Sequence, residues 1–122
     1  MVVRLLVGEP ADQALAAQRA MAGAPRGSVS VSDLVIGEAY FALRHHYAVP
    51  HRKAIAALIA LTTDSRIRCT GVAGRVLAAM PDKDAGAGLM DRLIHAGYEL
   101  EDITLLTFDR AAARLPHAEL LG

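Results

Sequence analysis

Apolar positions along the chain switch between helical spacing and short continuous runs, and the switches mark out the elements. Val2–Val7 is a short apolar run closed by Gly8, Glu9 and Pro10. Ala11–Ala22 reads as a helix in an Ala-rich stretch of high propensity, broken by Gly23, Pro25 and Gly27. Ser28–Val31 alternates as a strand does, with Val29 and Val31 on one side. Ser32 and Asp33 are N-cap residue types and predict a helix running to about Tyr47. Pro50 introduces another helix, His51–Thr63, carrying Ile55, Leu58, Ile59 and Leu61.

Ile67–Thr70 is a brief strand candidate, and Val72–Met80 a helix stopped by Pro81. Pro81–Gly88 reads as a polar, flexible loop and Leu89–Tyr98 as a helix. Ile103–Phe108 is a continuous apolar run, of the kind buried on both faces in a parallel sheet. A short helix, Arg110–Leu115, and an edge strand, Ala118–Leu121, follow. Strands alternating with helices predict an α/β fold of three layers, α/β/α, with a mostly parallel sheet. In such sheets ligands bind beyond the carboxyl ends of the strands.

A length of 122 residues suits one domain, 1–122, and a hydrophobic content of 53% argues against disorder. No apolar run reaches the roughly 18 residues of a membrane span, and the start MVVRLLVGEP lacks the long apolar core of a signal peptide. Cys69 is the single cysteine, so no internal disulfide forms; a reducing, cytoplasmic setting is expected. Thirteen basic and thirteen acidic residues cancel, so any nucleic-acid contact must be local rather than a broad basic footprint.

Three acids stand out of place in the pattern. Glu38 occupies the stripe Leu34, Glu38, Ala42, beside Val35 and Phe41, where a dry, unpaired carboxylate costs several kcal/mol. Asp91 lies in the helix GLMDRLIHAGY, and Asp is a poor helix-interior residue. Asp109 ends the apolar run LLTFD, where a parallel sheet places its ligands. Each also has a structural reading: Asp109 as a helix N-cap, Asp91 as a solvated acid paired with Arg, Glu38 as a residue at the helix edge.

The segments SDLVIGEAYFALRHHYAV, GLMDRLIHAGY and ITLLTFDRAAARL, in this order and spacing, resemble the PIN domain, most closely the VapC-type toxins of bacterial toxin–antitoxin pairs. The similarity in pattern runs from Val3 to Leu121. It implies a domain that holds Mg²⁺ or Mn²⁺ in a carboxylate cluster and cleaves single-stranded or structured RNA. It further implies a cognate antitoxin that covers the site, and a homodimer. Glu38, Asp91 and Asp109 match the family's acids, and Thr107 matches a hydroxyl residue two before the last of them, a second-shell contact. Hard divalent ions prefer such oxygen ligands to thiolates.

The chain departs from the family at its start. A PIN domain opens with an apolar strand ending in Asp, whereas MVVRLLVGEP resembles the helix that follows it. By family spacing the missing Asp would lie about three residues before Met1. The expectation is a site short of one carboxylate and a sheet with a central gap, from either a start codon assigned too late or a decayed, non-catalytic remnant. The histidines His45, His46 and His51 are expected to be structural or solvated, since no tetrahedral zinc set is visible. His95 is expected in packing or at the surface, and Arg92 and Arg110 in solvent. A phosphoacceptor module would need a well-placed Lys, and Lys53 and Lys83 do not fit.

Overall fold

The computed structural model describes residues 1–102 and 104–122, and its elements follow the predicted order. The opening apolar run is helical: α1 spans Val2–Val7 and ends at Gly8, which takes φ 81° and returns its amide to the Arg4 carbonyl. Next come α2 (Ala11–Ala22), β1 (Val29–Val31), α3 (Asp33–His45) and α4 (His51–Thr62). After them come β2 (Ile67–Cys69), α5 (Ala73–Ala78), α6 (Leu89–Leu100), β3 (Leu105–Thr107), a 3₁₀ turn (Ala112–Arg114) and β4 (Ala118–Leu120).

Helices build the core. Ile36, Leu58, Leu77 and Leu89, one from each of α3 to α6, are the largest side chains removed completely from solvent. Fully burying an aliphatic side chain of this size stabilises by roughly 1.5–3 kcal/mol. In α4, Ala54, Ile55, Leu58 and Leu61 are buried at one-turn spacing, so this helix belongs to the core. The α3 stripe read from sequence as apolar is not the buried one. Ile36, Gly37, Ala39 and Leu43 face inward, while Leu34, Val35 and Phe41 are exposed. Both stripes carry apolar side chains, so composition alone does not separate them.

The strands are parallel, as predicted, but they form two sheets rather than one. β1 pairs with β2, in the register Val29↔Ile67 to Val31↔Cys69. β3 pairs with β4, in the register Leu105↔Ala118 to Thr107↔Leu120. The architecture is therefore mixed α/β, with six α-helices and two short two-stranded parallel sheets among the described residues. The apolar run predicted as a doubly buried strand is corrected. Leu105 is buried, whereas Leu106 is 55% and Phe108 79% exposed, so only one face of the run is covered. Ile103, included in that prediction, lies outside the described residues. The predicted helix at Arg110–Leu115 shortens to the 3₁₀ turn.

The two N-cap types before α3 divide their work. Ser32 Oγ accepts from the Val35 amide at 3.3 Å and caps α3. Asp33 instead reaches across the fold. Its carboxylate accepts from the amides of Val72 (3.1 Å) and Ala73 (2.9 Å), so it caps α5 from the start of α3. The same contact explains Gly71, where a Cβ would come within 2.3–2.7 Å of the Asp33 carboxyl group. In the turn before β2, Arg66 donates to both carboxylate oxygens of Asp64, at 2.9 and 2.7 Å, and to the Met21 carbonyl at 3.0 Å. Hydrogen bonding from Arg66 holds the Asp64 carboxyl at about 2.

Two outcomes follow from these contacts. Gly71→Ala should cost about 1–3 kcal/mol in urea unfolding by overpacking, and Asp33→Ala about 0.5–2 kcal/mol by loss of a cap. The double variant should lose less than the sum of the two, since one contact is involved. The Asp64 carboxyl should titrate near 2 by NMR. Its folded value is depressed, so its contribution is present above the unfolded value of about 3.9 and is lost as pH falls through the folded one.

Candidate functional site

Asp91 and Asp109 lie close enough for the charge of one to act on the other. Asp91 sits in the first turn of α6, which begins at Leu89 after the cap residue Gly88. The sequence reading placed it in a helix interior. A first-turn position is electrostatically favourable for an acid, because the unpaired amides of the helix end carry partial positive charge. Asp109 lies two residues beyond β3, at its carboxyl end. Partial burial raises the Asp91 carboxyl above its ordinary value, and the charge of Asp109 adds to the rise.

The residues around Asp109 fix its backbone. The Asp109 amide donates to Thr107 Oγ1 at 3.0 Å, and Asp109 Oδ1 accepts from the Ala112 amide at 2.9 Å. Asp109 thus does cap the turn that follows it, the structural reading of this residue. One carboxylate oxygen is engaged in that cap; no side-chain hydrogen bond occupies Oδ2 among the described residues.

Glu38 stands elsewhere. It is exposed on α3 and lines an apolar groove of about 480 Å³ together with Phe41, His46, Leu89 and Met90. Met90 precedes Asp91, so groove and acid pair adjoin along α6. Among the described residues, no three His, Cys, Asp or Glu side chains gather closely enough to hold a metal ion. The structure therefore brings together two of the three acids singled out in the sequence. At Gly37 a Cβ would meet the flexible end of the Met90 side chain.

The loop entering α6 is tethered along its length. His51 Nε2 donates to the Pro81 carbonyl at 2.9 Å, and in the neutral ring Nδ1 accepts from the Tyr40 hydroxyl at 2.6 Å. Arg44 pairs with Asp84 at 2.7 Å, and Arg92 Nε donates to the Ala87 carbonyl at 2.8 Å. His51 and Arg92 therefore serve the loop, while His45 and His46 lie exposed with their rings beside Phe41. His95 is buried and donates from Nε2 to the Pro116 carbonyl, with Nδ1 3.6 Å from Glu99. Arg110 is exposed next to Asp109.

No family model matches the chain, and neither the curated proteins nor the solved structures contain a significant match to it. No helix among the described residues is long and apolar enough to cross a membrane.

The raised Asp91 carboxyl gives a signed prediction. A folded value above the unfolded one contributes stability below about 3.9, and that contribution is lost as pH rises through the folded value. At pH 7 the charged Asp91 therefore opposes folding, and Asp91→Asn should raise the melting temperature. The advantage should shrink towards zero on acidification. An unchanged melting temperature at both pH values would refute the strained pair.

Proposed function

We propose that this domain is a metal-dependent endoribonuclease that cuts single-stranded or structured RNA, in the manner of the PIN-domain toxins its sequence resembles. The observation that carries this reading is the coupling of Asp91 to Asp109 at the carboxyl end of a parallel strand. The charge of Asp109 adds to the rise that burial imposes on Asp91, a cation between them would relieve it, and an all-oxygen pair suits a hard divalent ion. Asp91 and Asp109 would hold Mg²⁺ or Mn²⁺, and Glu38, exposed on α3, belongs to the ligand set by the resemblance alone. When bound, such an ion supplies a Lewis acid beside a phosphodiester. Thr107 positions Asp109 through the backbone contact. Arg110, exposed beside Asp109, is placed to meet a phosphate.

The partners in this reading are a cognate antitoxin and a second copy of the chain. A second reading draws on the separation of Glu38 from the acid pair. In it the domain is a non-catalytic remnant that binds an antitoxin or an intact homologue.

The two readings part in one assay. Single-stranded RNA is incubated with Mn²⁺, or with chelator, and either the chain as given or a form extended through the upstream codons. The nuclease reading expects cleavage that chelation abolishes and that falls at least about 100-fold in Asp91→Asn and Asp109→Asn, the loss of roughly 2.7 kcal/mol of transition-state stabilisation. Absence of cleavage by both forms would leave the remnant reading. Mn²⁺ should also raise the melting temperature of the wild-type chain more than that of Asp91→Asn.

A further inference from the structure

Arg75, Arg92 and His95 line one groove between α5 and α6, distinct from the apolar groove beside Glu38. Its volume is about 260 Å³. Arg92, His95 and Glu99 recur along α6 at the spacing of a single helix face, and Arg75 comes from α5, which packs against that helix. Val76 and Leu115 supply aliphatic walls.

The charges in this groove do not balance. Arg75 is exposed and enters no ion pair among the described residues. Arg92 is half-buried, and its Nε is committed to the Ala87 carbonyl at 2.8 Å. That bond fixes the stem and leaves the terminal nitrogens without a hydrogen-bond partner among the described residues. Glu99 is the one acid lining the groove, and it stands 3.6 Å from Nδ1 of the buried His95. With His95 neutral, two guanidiniums against one carboxylate leave a single positive charge, in a chain whose formal net charge is zero.

A phosphodiester carries the one negative charge that completes this balance, and a guanidinium fork matches its two unesterified oxygens. The aliphatic walls would strip water from a small free anion, whereas the sugar of a nucleotide presents carbon to them. Position ties the groove to the acid pair as well. Arg92 follows Asp91 on α6, and Leu115 ends the turn that Asp109 caps. We infer that the groove holds a backbone phosphate of single-stranded RNA away from the bond that is cut, with Arg75 and Arg92 as its ligands and Glu99 opposing it. The identity of the strand rests on the nuclease reading; the preference of the groove for an anion does not.

Fluorescence anisotropy of a labelled single-stranded RNA of about ten nucleotides, measured in chelator so that nothing is cut, reads binding apart from cleavage. Arg75→Gln should weaken binding roughly two- to fivefold, the range of an exposed ion pair, whatever the base sequence. It should also reduce the slope of log affinity against log salt by about 0.7, the loss of one phosphate contact on a single strand. Glu99→Gln should tighten binding by a similar factor, a gain that misfolding cannot produce. Affinity and salt slope unchanged in Arg75→Gln would overturn the assignment, and so would Glu99→Gln binding no tighter than wild type. Inorganic phosphate bound in the groove without any binding of RNA would assign it to a free anion and overturn it too. RNA bound with these charge effects but never cut in Mn²⁺ would uphold the groove and defeat the nuclease reading. Cleavage in Mn²⁺ with binding indifferent to both substitutions would do the reverse.

Discussion

Everything else in this fold hangs on the meeting of four helices. Ile36, Leu58, Leu77 and Leu89 are closed off from water together, and each comes from a different helix. The continuous core around them ends at Ala96. Leu105 and Ala112, though buried, lie outside it. The segment from β3 to β4 is therefore an appendage to a helical body, held by its own pairing and by the bond from His95 to the Pro116 carbonyl. The Asp91–Asp109 pair straddles this seam: one acid belongs to the body and the other to the appendage.

That placement matters for chemistry as much as for stability. Electrostatic strain between two carboxylates persists only where packing prevents their separation. Here α6 fixes one acid, and the Thr107 and Ala112 contacts fix the other. A bound cation would draw body and appendage together, so affinity for the ion and order in the β3–β4 unit are linked quantities.

Much of the local structure was legible in the residues. The helix Ala11–Ala22 matches its predicted bounds, because Gly8–Pro10 and Gly23–Gly27 punctuate it on both sides. The helix at His51 begins after Pro50 as expected. Asp91 and Asp109 both stood out by position, Asp109 at the end of an apolar run and Asp91 as an acid inside a helix, where the structure puts it in the first turn instead. Less could be read where the cause is tertiary. The outward face of α3 is as apolar as its inward face, so the pattern left a buried and a helix-edge position for Glu38 open; the structure exposes it. Asp33 gave the signature of a local cap but serves another helix, 39 residues on. The division into two sheets followed from no local pattern; only the resemblance to a family with a further strand suggested a gap.

The loop before α6 has a composition that reads as a flexible tether, PDKDAGAG, yet His51, Arg44 and Arg92 grip it at Pro81, Asp84 and Ala87. Most of the ordering entropy of this segment is therefore spent during folding rather than on ligand arrival. The polar composition therefore overstates the freedom of this segment, since groups on α3, α4 and α6 already hold it at three points.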